Sequence, residues 1–315
     1  MVKTLVDFAL NKEYKQVQRL GDKLNEINSH LDWDKFRPII KEIYNNDGPD
    51  GGRKNIDEIV MLKLVLLQEW YGLSDPELER QVTDRISFRH FLGYPDIIPD
   101  YSTVWYFRER LSKTGKDKEI WDELQLQLEL KGISIKKGVI QDATFITADP
   151  GHAKLDKPRG KNAKTRRNKD GTWVKKGKKD YFGYKLHSKQ DIKYGLIRKV
   201  QITNNRVHDS QIDLSKNGEI MYRDRGYFGA DCKGFNATMN RATRDHPLGI
   251  RDKLRNKRIC RKRAPGERPY AVIKNVFKSG HIKVTTIARV TVKMIFTCFC
   301  FNLYQLNTLK KYNVI

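Results

Sequence analysis

The chain has 315 residues, of which 38% are hydrophobic, so it can bury a sizeable core in one large or two ordinary domains. Its formal net charge of +24 predicts a polyanionic partner, most simply nucleic acid. A membrane span is disfavoured, because the most apolar segment, residues 290–306, is interrupted by Lys293 and Asn302 and is predicted to be a buried helix. The N-terminus lacks the apolar core of a secretion signal, so we expect a cytoplasmic, nucleoid-associated protein.

Residues 1–130 are predicted to form a helical N-terminal region. Residues 55–72 have apolar side chains at helical spacing, with Asn55 as the expected N-cap and Gly72 as the stop. A capping box at Ser74 and Glu77 and an N-cap at Ser102 indicate further short helices. Short helices joined by tight turns fit either a DNA-binding helix-turn-helix arrangement or a plain helical bundle.

From about residue 136 the pattern becomes that of strands rich in β-branched and aromatic residues. We expect a helix at residues 208–217, between the last two strands, and a return to helix from Glu267. This order predicts an α/β domain over residues 136–308, with a mixed sheet flanked by helices.

Much of the positive charge is concentrated in two stretches. Residues 151–180 carry 12 Lys or Arg against three Asp, and residues 241–265 carry ten against two. The first stretch has almost no apolar periodicity and is predicted to be a mobile loop that binds phosphates. Its candidate DNA-binding residues are Arg166, Arg167, Lys175, Lys176, Lys178 and Lys179.

The four cysteines, Cys232, Cys260, Cys298 and Cys300, form no CxxC pair and have no histidine cluster beside them. A zinc ribbon or finger is therefore not expected. Free structural thiols fit a reducing compartment.

Three acidic residues occur at strand or helix positions where a carboxylate is expected to be at least partly buried. Asp142 lies inside an apolar strand, Asp224 follows another, and Glu267 lies near the start of a helix, because Pro269 fits only a first helical turn. A carboxylate buried without a partner is unfavourable. Converging carboxylates can instead hold two Mg²⁺ ions, which activate the attacking oxygen and stabilise the leaving one in phosphodiester chemistry.

Three motifs around these acids, VIQDATFI, YRDRGYFG and GERPYAVIKNVF, resemble the active-site motifs of DDE transposases, and in particular the insertion-sequence-5 family of the insertion-sequence-4-related group. The similarity extends from about residue 35 to about residue 306. It implies a ribonuclease-H-like catalytic core with a mixed five-stranded sheet, in which Asp142 lies on the first strand and Asp224 at the end of the fourth.

The resemblance implies that Asp142, Asp224 and Glu267 are the catalytic metal ligands, with Mg²⁺ as cofactor and Mn²⁺ as a substitute. Arg263 and Lys274 match the family's basic positions around the glutamate, and both are expected to contact DNA. Cys260 replaces the tyrosine of that signature. Lys274, seven residues after Glu267, is expected on the same helix face, whereas Arg263 is expected in a loop before Pro265.

The implied activity is cleavage of double-stranded DNA at terminal inverted repeats, followed by transfer of the 3′ ends into target DNA by a homodimer in the DNA complex. Two alternatives remain open at this point. One is a metal-dependent DNA nuclease of the same fold, and the other is a catalytically silent DNA-binding protein.

Overall fold

The computed structural model describes residues 5–44, 55–151 and 168–315. The chain divides into two compact units, a helical unit of residues 1–132 with 295–315 and a sheet unit of residues 133–294. Each unit has its own buried side chains.

In the helical unit, the described residues before the first strand form helices α1 to α8. Their bounds are α1 Leu5–Leu20, α2 Lys23–Asn28, α3 Arg37–Lys41, α4 Glu58–Tyr71, α5 Asp75–Asp84, α6 Ile86–Leu92, α7 Tyr101–Thr114 and α8 Lys116–Leu130. A long last helix, α11 Ile287–Lys311, contributes its C-terminal part to the same unit.

The α11 helix is an interior helix of the helical unit, as its sequence predicts. Phe299 contacts Phe36 with ring centroids 5.9 Å apart, and the Thr297 hydroxyl donates to Glu69 at 3.0 Å. By length and composition α11 could also cross a membrane, but 67% of its apolar window is buried inside the protein. Because residues 295–308 pack in this way, they lie with the helical unit and not with the sheet unit, where the sequence placed them.

The described residues of the sheet unit form seven strands in one mixed sheet. Their bounds are β1 Val139–Ala148, β2 Thr172–Lys176, β3 Lys179–Asp191, β4 Ile197–Asn204, β5 Ile220–Arg223, β6 Phe235–Thr238 and β7 His281–Ile282. The main order is β2-β3-β1-β5-β6, with β4 also on β3 and β7 also on β1. β3 is antiparallel to β1, β2 and β4, while β1, β5 and β6 run parallel.

The centre of the sheet depends on a close approach of β1 and β3. Gly183 of β3 has φ +143, and a Cβ there would lie 2.2 Å from the carbonyl oxygen of Ile146 on β1. A side chain at this position would force the two strands apart, so glycine fixes their spacing.

Among its described residues, the sheet unit also contains helices α9 Ile250–Arg263 and α10 Glu267–Ala271, together with the first residues of α11. A 3-10 turn, Ala264–Gly266, joins them, and a π-helical segment, Val272–Val276, follows α10. A polar helix, α9, thus leads directly into the helix that begins at Glu267.

The structure corrects several local predictions. Asp57 rather than Asn55 caps α4, and Asp100 rather than Ser102 caps α7, because each aspartate accepts backbone N–H bonds of the first helical turn. Ser74 is the N-cap of α5, but its side chain makes no capping bond, and Glu77 pairs with Arg80, so the predicted capping box does not form. Gly72 ends α4 with φ 63, as predicted.

The predicted helix at residues 208–217 is reduced to a 3-10 turn, Asp209–Gln211. Part of the predicted basic loop is the β2–β3 hairpin, which makes Asp224 follow the fifth strand in chain order instead of the fourth. Strands β6 and β7 and helix α9 were not predicted. All four cysteines are free, as expected.

Candidate active site

The register of the parallel strands brings two of the predicted acids side by side. Val139 pairs with Met221 and Ile140 with Tyr222. This register, continued by two residues, sets Asp142 level with Asp224 just past the end of the adjacent strand, and neighbouring strands lie about 4.8 Å apart. Asp224 immediately follows β5 and caps a 3-10 turn, its Oδ1 accepting from the Gly226 N–H at 2.8 Å.

Asp142 occupies a charged but poorly solvated position. Burial raises the pKa of its carboxyl to about 6; Arg263 and a backbone N–H oppose this rise, and Asp224 and Glu267 add to it. Repulsion by two like charges indicates that negative charge accumulates around Asp142.

The helix that carries Glu267 is held against the Asp142 face of the sheet. Ser188 lies directly opposite Asp142 on β3, so their side chains share a face, and its hydroxyl bonds the Tyr270 hydroxyl at 2.8 Å. A Cβ on Gly266 would lie 3.0 Å from Ile140, which leaves little room for a side chain where α10 begins. Glu267 itself is exposed, and it opens α10 as predicted.

Arg263 forms an ion pair with Asp142. Its guanidinium donates to Asp142 Oδ2 at 3.3 Å, with side chains that are 15% and 16% exposed respectively. Arg263 is the last residue of α9, so the prediction that it lies in a loop is wrong: the helix extends up to the 3-10 turn Ala264–Gly266, which contains Pro265.

Lys274 contacts β1 two residues after Asp142, at Thr144. Its Nζ donates to Thr144 Oγ1 at 2.6 Å, and Thr144 is on the same strand face as Asp142. Burial lowers the pKa of Lys274, Glu267 raises it, and Lys176 lowers it further. Lys274 is in the π-helical segment, so the regular helix face predicted for it and Glu267 is interrupted, although the two still interact.

The remaining candidate DNA-binding residues divide into two groups. Lys175, Lys176, Lys178 and Lys179 are exposed on the β2–β3 hairpin, and the Nζ of Lys176 lies 5.5 Å from the centre of the Phe145 ring. Arg166 and Arg167 lie outside the described residues.

The side chains near Asp142 fit a hard cation by their chemistry, because carboxylate oxygens are the ligands that Mg²⁺ prefers. The charge that accumulates at Asp142 would be relieved by such an ion. Within residues 5–44, 55–151 and 168–315, however, no group of three or more His, Cys, Asp or Glu side chains is arranged to hold a metal. The role of Asp142, Asp224 and Glu267 as ligands therefore stays a prediction.

Sequence reasoning missed the residues that support the site. Thr144 could have been predicted from the sequence, because side chains alternate along a strand and residue 144 therefore shares a face with residue 142. The Ser188–Tyr270 bond joins residues 82 positions apart and has no local signal. Tyr227 is buried at 1% exposure, and its pKa is raised by burial and by Asp209, Asp142 and Asp224.

Comparison with known families gives two matches in chain order. A family described as "Transposase domain (DUF772)" matches residues 12–110, and a family described as "Transposase DDE domain" matches residues 134–303. No solved structure matches the chain. The second match covers 170 of the 315 residues and implies a ribonuclease-H-like fold, in agreement with the strand order above. Its family acts on DNA and generally uses divalent metal ions. The chain belongs to the DDE transposase family.

Proposed function

We propose that the protein is an insertion-sequence-5-type transposase that cuts DNA at the terminal inverted repeats of its element and joins the freed 3′ ends to target DNA. The observation that carries this proposal is the register that sets Asp142 level with Asp224 beside Arg263. The acids supply oxygen ligands, and the arginine supplies a cation that fits a phosphate.

The proposed cofactor is Mg²⁺, with two ions held by Asp142, Asp224 and Glu267, and Mn²⁺ is expected to substitute for it. When bound, the ions would activate the attacking oxygen and stabilise the leaving oxygen. With such an ion bound, the Asp142 carboxylate would no longer need Arg263 for neutralisation, and the Arg263 guanidinium would be free to bind a phosphate.

The protein's own side chains bind and orient the DNA. Lys274, held by Thr144 along β1, is placed to bind a phosphate next to the one that reacts. The hairpin lysines, Lys175, Lys176, Lys178 and Lys179, extend the basic surface beyond Lys274. The poor solvation of Asp142 strengthens the charge interactions made at that carboxylate.

The reaction has two steps. In the first, the oxygen of water forms a bond to phosphorus and the bond to the 3′ oxygen breaks, which leaves a 3′ hydroxyl at the element's end. In the second, this hydroxyl oxygen bonds to a target phosphorus and the target's own 3′ oxygen leaves. Each end requires one set of acids, so we expect a homodimer on the DNA, with the helical region at residues 1–130 binding the repeats.

The test is a cleavage and joining assay with a labelled DNA end and Mg²⁺. Asp142→Asn and Asp224→Asn are the test variants, and Asp231→Asn, which changes an exposed carboxylate of the same unit, is the matched control. We expect cutting and joining by the wild type and by the control, and neither by the test variants.

A second readout does not depend on activity. Mn²⁺ should raise the unfolding temperature of the wild type and of the control, but not that of Asp142→Asn. Cutting without joining would support the nuclease instead. Repeat binding with no cutting in either metal would overturn the catalytic proposal and leave a DNA-binding protein.

A further inference from the structure

Helix α9 has an unusual division of charge between its two faces. Its 14 residues include eight Lys or Arg and one Asp. Exposed basic side chains cover its outer surface, namely Arg251, Lys253, Lys257, Arg258, Arg261 and Lys262. None of these six side chains forms an ion pair or hydrogen bond with another residue in the part of the chain that the structure describes.

Polar side chains on the inner face of α9 hydrogen-bond to residues 238–240 of the sheet unit. Arg255 donates to the carbonyl of Thr238 at 2.6 Å. Asn256 exchanges two bonds with the backbone of Asn240, at 2.8 and 2.9 Å. Asp252 accepts from the Asn240 side chain at 2.6 Å, so the helix's one acid is turned towards the protein. The basic outer face is thus held in a fixed position with no internal role.

The C-terminal end of α9 lies at the candidate active site. Arg263 is its last residue and contacts Asp142, while the exposed Arg261, Arg258 and Lys257 lie two, five and six residues earlier on the same helix. A helix of 14 residues is about 21 Å long, which matches roughly six phosphates of one strand at about 3.4 Å each.

We propose that the outer face of α9 binds the phosphate backbone of the element's end, along the stretch that adjoins the phosphate at the acids. This inference rests on the proposed function and adds a surface to it. Charge complementarity selects the occupant, because a helix that carries unpaired cations on its outer face, and whose last residue contacts Asp142, suits a polyanion continuous with the reacting phosphate. The element's end must be held through both reactions, whereas target DNA is needed only for the second.

The first experiment measures binding to end DNA as a function of salt. Lys257→Gln/Arg258→Gln/Arg261→Gln removes three charges from the outer face. Lys199→Gln/Lys216→Gln/Lys233→Gln removes three from exposed side chains elsewhere in the same unit. Each lost phosphate contact should reduce the slope of log affinity against log salt by about 0.9, so we expect a decrease of about 3 for the α9 variant and none for the control.

The second experiment locates the DNA without removing any charge. Cys260 is exposed on α9, while Cys298 and Cys300 are buried. In a Cys232→Ser background, the Cys260 thiolate should exchange with a DNA thiol supplied as an activated mixed disulfide, displacing the leaving thiol, when that group is attached to a backbone phosphate within about six nucleotides of the cut, and not when it is about twenty nucleotides away.

The outcomes separate this proposal from the function on which it rests. If the wild type fails to cut, the proposed function fails. If the wild type cuts but the α9 variant keeps the full salt slope and Cys260 does not cross-link near the cut, only the α9 proposal is overturned. If the α9 variant cuts intact element ends normally but fails to join pre-cut ends to target DNA, the face binds target DNA and the assignment to the element's end is wrong.

Discussion

Helix α4 and strand β3 are both largely buried, but they differ in how many of their buried residues are polar or charged. In α4, 11 of 14 residues are buried, and three of these, Lys63, Gln68 and Glu69, are polar or charged. In β3, ten consecutive residues are buried, and six of them, residues 185 and 187–191, are polar or charged. Burial around α4 is therefore mainly apolar, whereas burial around β3 includes several paired charges.

The charges of β3 lie behind the candidate site. Lys185 pairs with Asp209 at 2.9 Å, Lys189 with Glu219 at 2.9 Å, and Asp191 with Arg198 at 2.8 Å. These odd-numbered residues face away from Ser188 and therefore away from Asp142. A buried pair contributes little net stability but is severely disrupted when one partner is lost. We therefore expect that replacing one charged residue of β3 lowers stability because its partner's charge is left without compensation.

The largest effect is expected from Lys189→Met. Lys189 is 1% exposed, so its loss leaves the carboxylate of Glu219 poorly solvated and without its partner. We expect the free energy of unfolding to fall by about 3–5 kcal/mol, as measured by denaturant titration.

The double variant Lys189→Met/Glu219→Gln is the control for that prediction. It removes both charges and should recover most of the lost stability. If the double variant is as unstable as the single one, packing and not the remaining charge explains the loss.

In the helical unit, Leu62→Ala should act through a cavity. Leu62 is 0% exposed on α4, and the expected decrease in unfolding free energy is about 2–5 kcal/mol. Leu130→Ala, at a side chain that is 79% exposed, is the matched control and should change stability by less than about 0.5 kcal/mol. Equal effects at the two positions would contradict the assignment of α4 to the core.

His187 should make the sheet unit sensitive to acid. Burial lowers the pKa of His187 to about 4, although Asp209 opposes the change, and its Nε2 bonds Thr203 at 2.9 Å. The native ring stays neutral while the unfolded ring takes up a proton, so this contribution is complete above about pH 6.5 and is lost as the pH falls towards 4.

The size of that loss is about 3 kcal/mol, from a pKa difference between about 6.5 and about 4. It is measured as the difference in unfolding free energy between the wild type and His187→Gln at several pH values. A difference that stays constant between pH 7 and pH 4.5 would show that His187 is not the titrating group.

The smallest effects are expected at the helix caps. Asp100 accepts from the Thr103 N–H at 2.7 Å, so Asp100→Ala should lower the free energy of unfolding by about 1 kcal/mol. Ser74 makes no capping bond, so Ser74→Ala should change it by less than about 0.5 kcal/mol in thermal unfolding. A larger effect at Ser74 would indicate that the serine caps α5 in solution.

The sequence predicted elements wherever apolar periodicity was strong. Helix α4 and strands β1, β3 and β4 follow from their apolar and β-branched residues. Helix α9 was missed because its apolar residues are few, and its inner face is held by polar side chains such as Asn256. Strands β6 and β7, of four and two residues, exist through pairing with β5 and β1, which a local pattern does not reveal.

The candidate site was only partly predictable for a related reason. An acid inside an apolar strand is a strong local signal, and it identified Asp142. The contact between Lys274 and Thr144 joins residues 130 positions apart, and it depends on how the π-helical segment packs on β1. Supporting contacts of this kind are set by tertiary structure.

The division of α11 between the two units has a consequence for synthesis. Residues 295–315 belong to the unit that contains residues 1–132, so its core cannot be completed until they have left the ribosome. The 162 intervening residues, 133–294, take roughly 8–30 s to translate at about 5–20 residues per second. The first-synthesised part of the chain therefore waits for the last, and we expect a nascent chain that lacks residues 295–315 to be bound by chaperones or degraded.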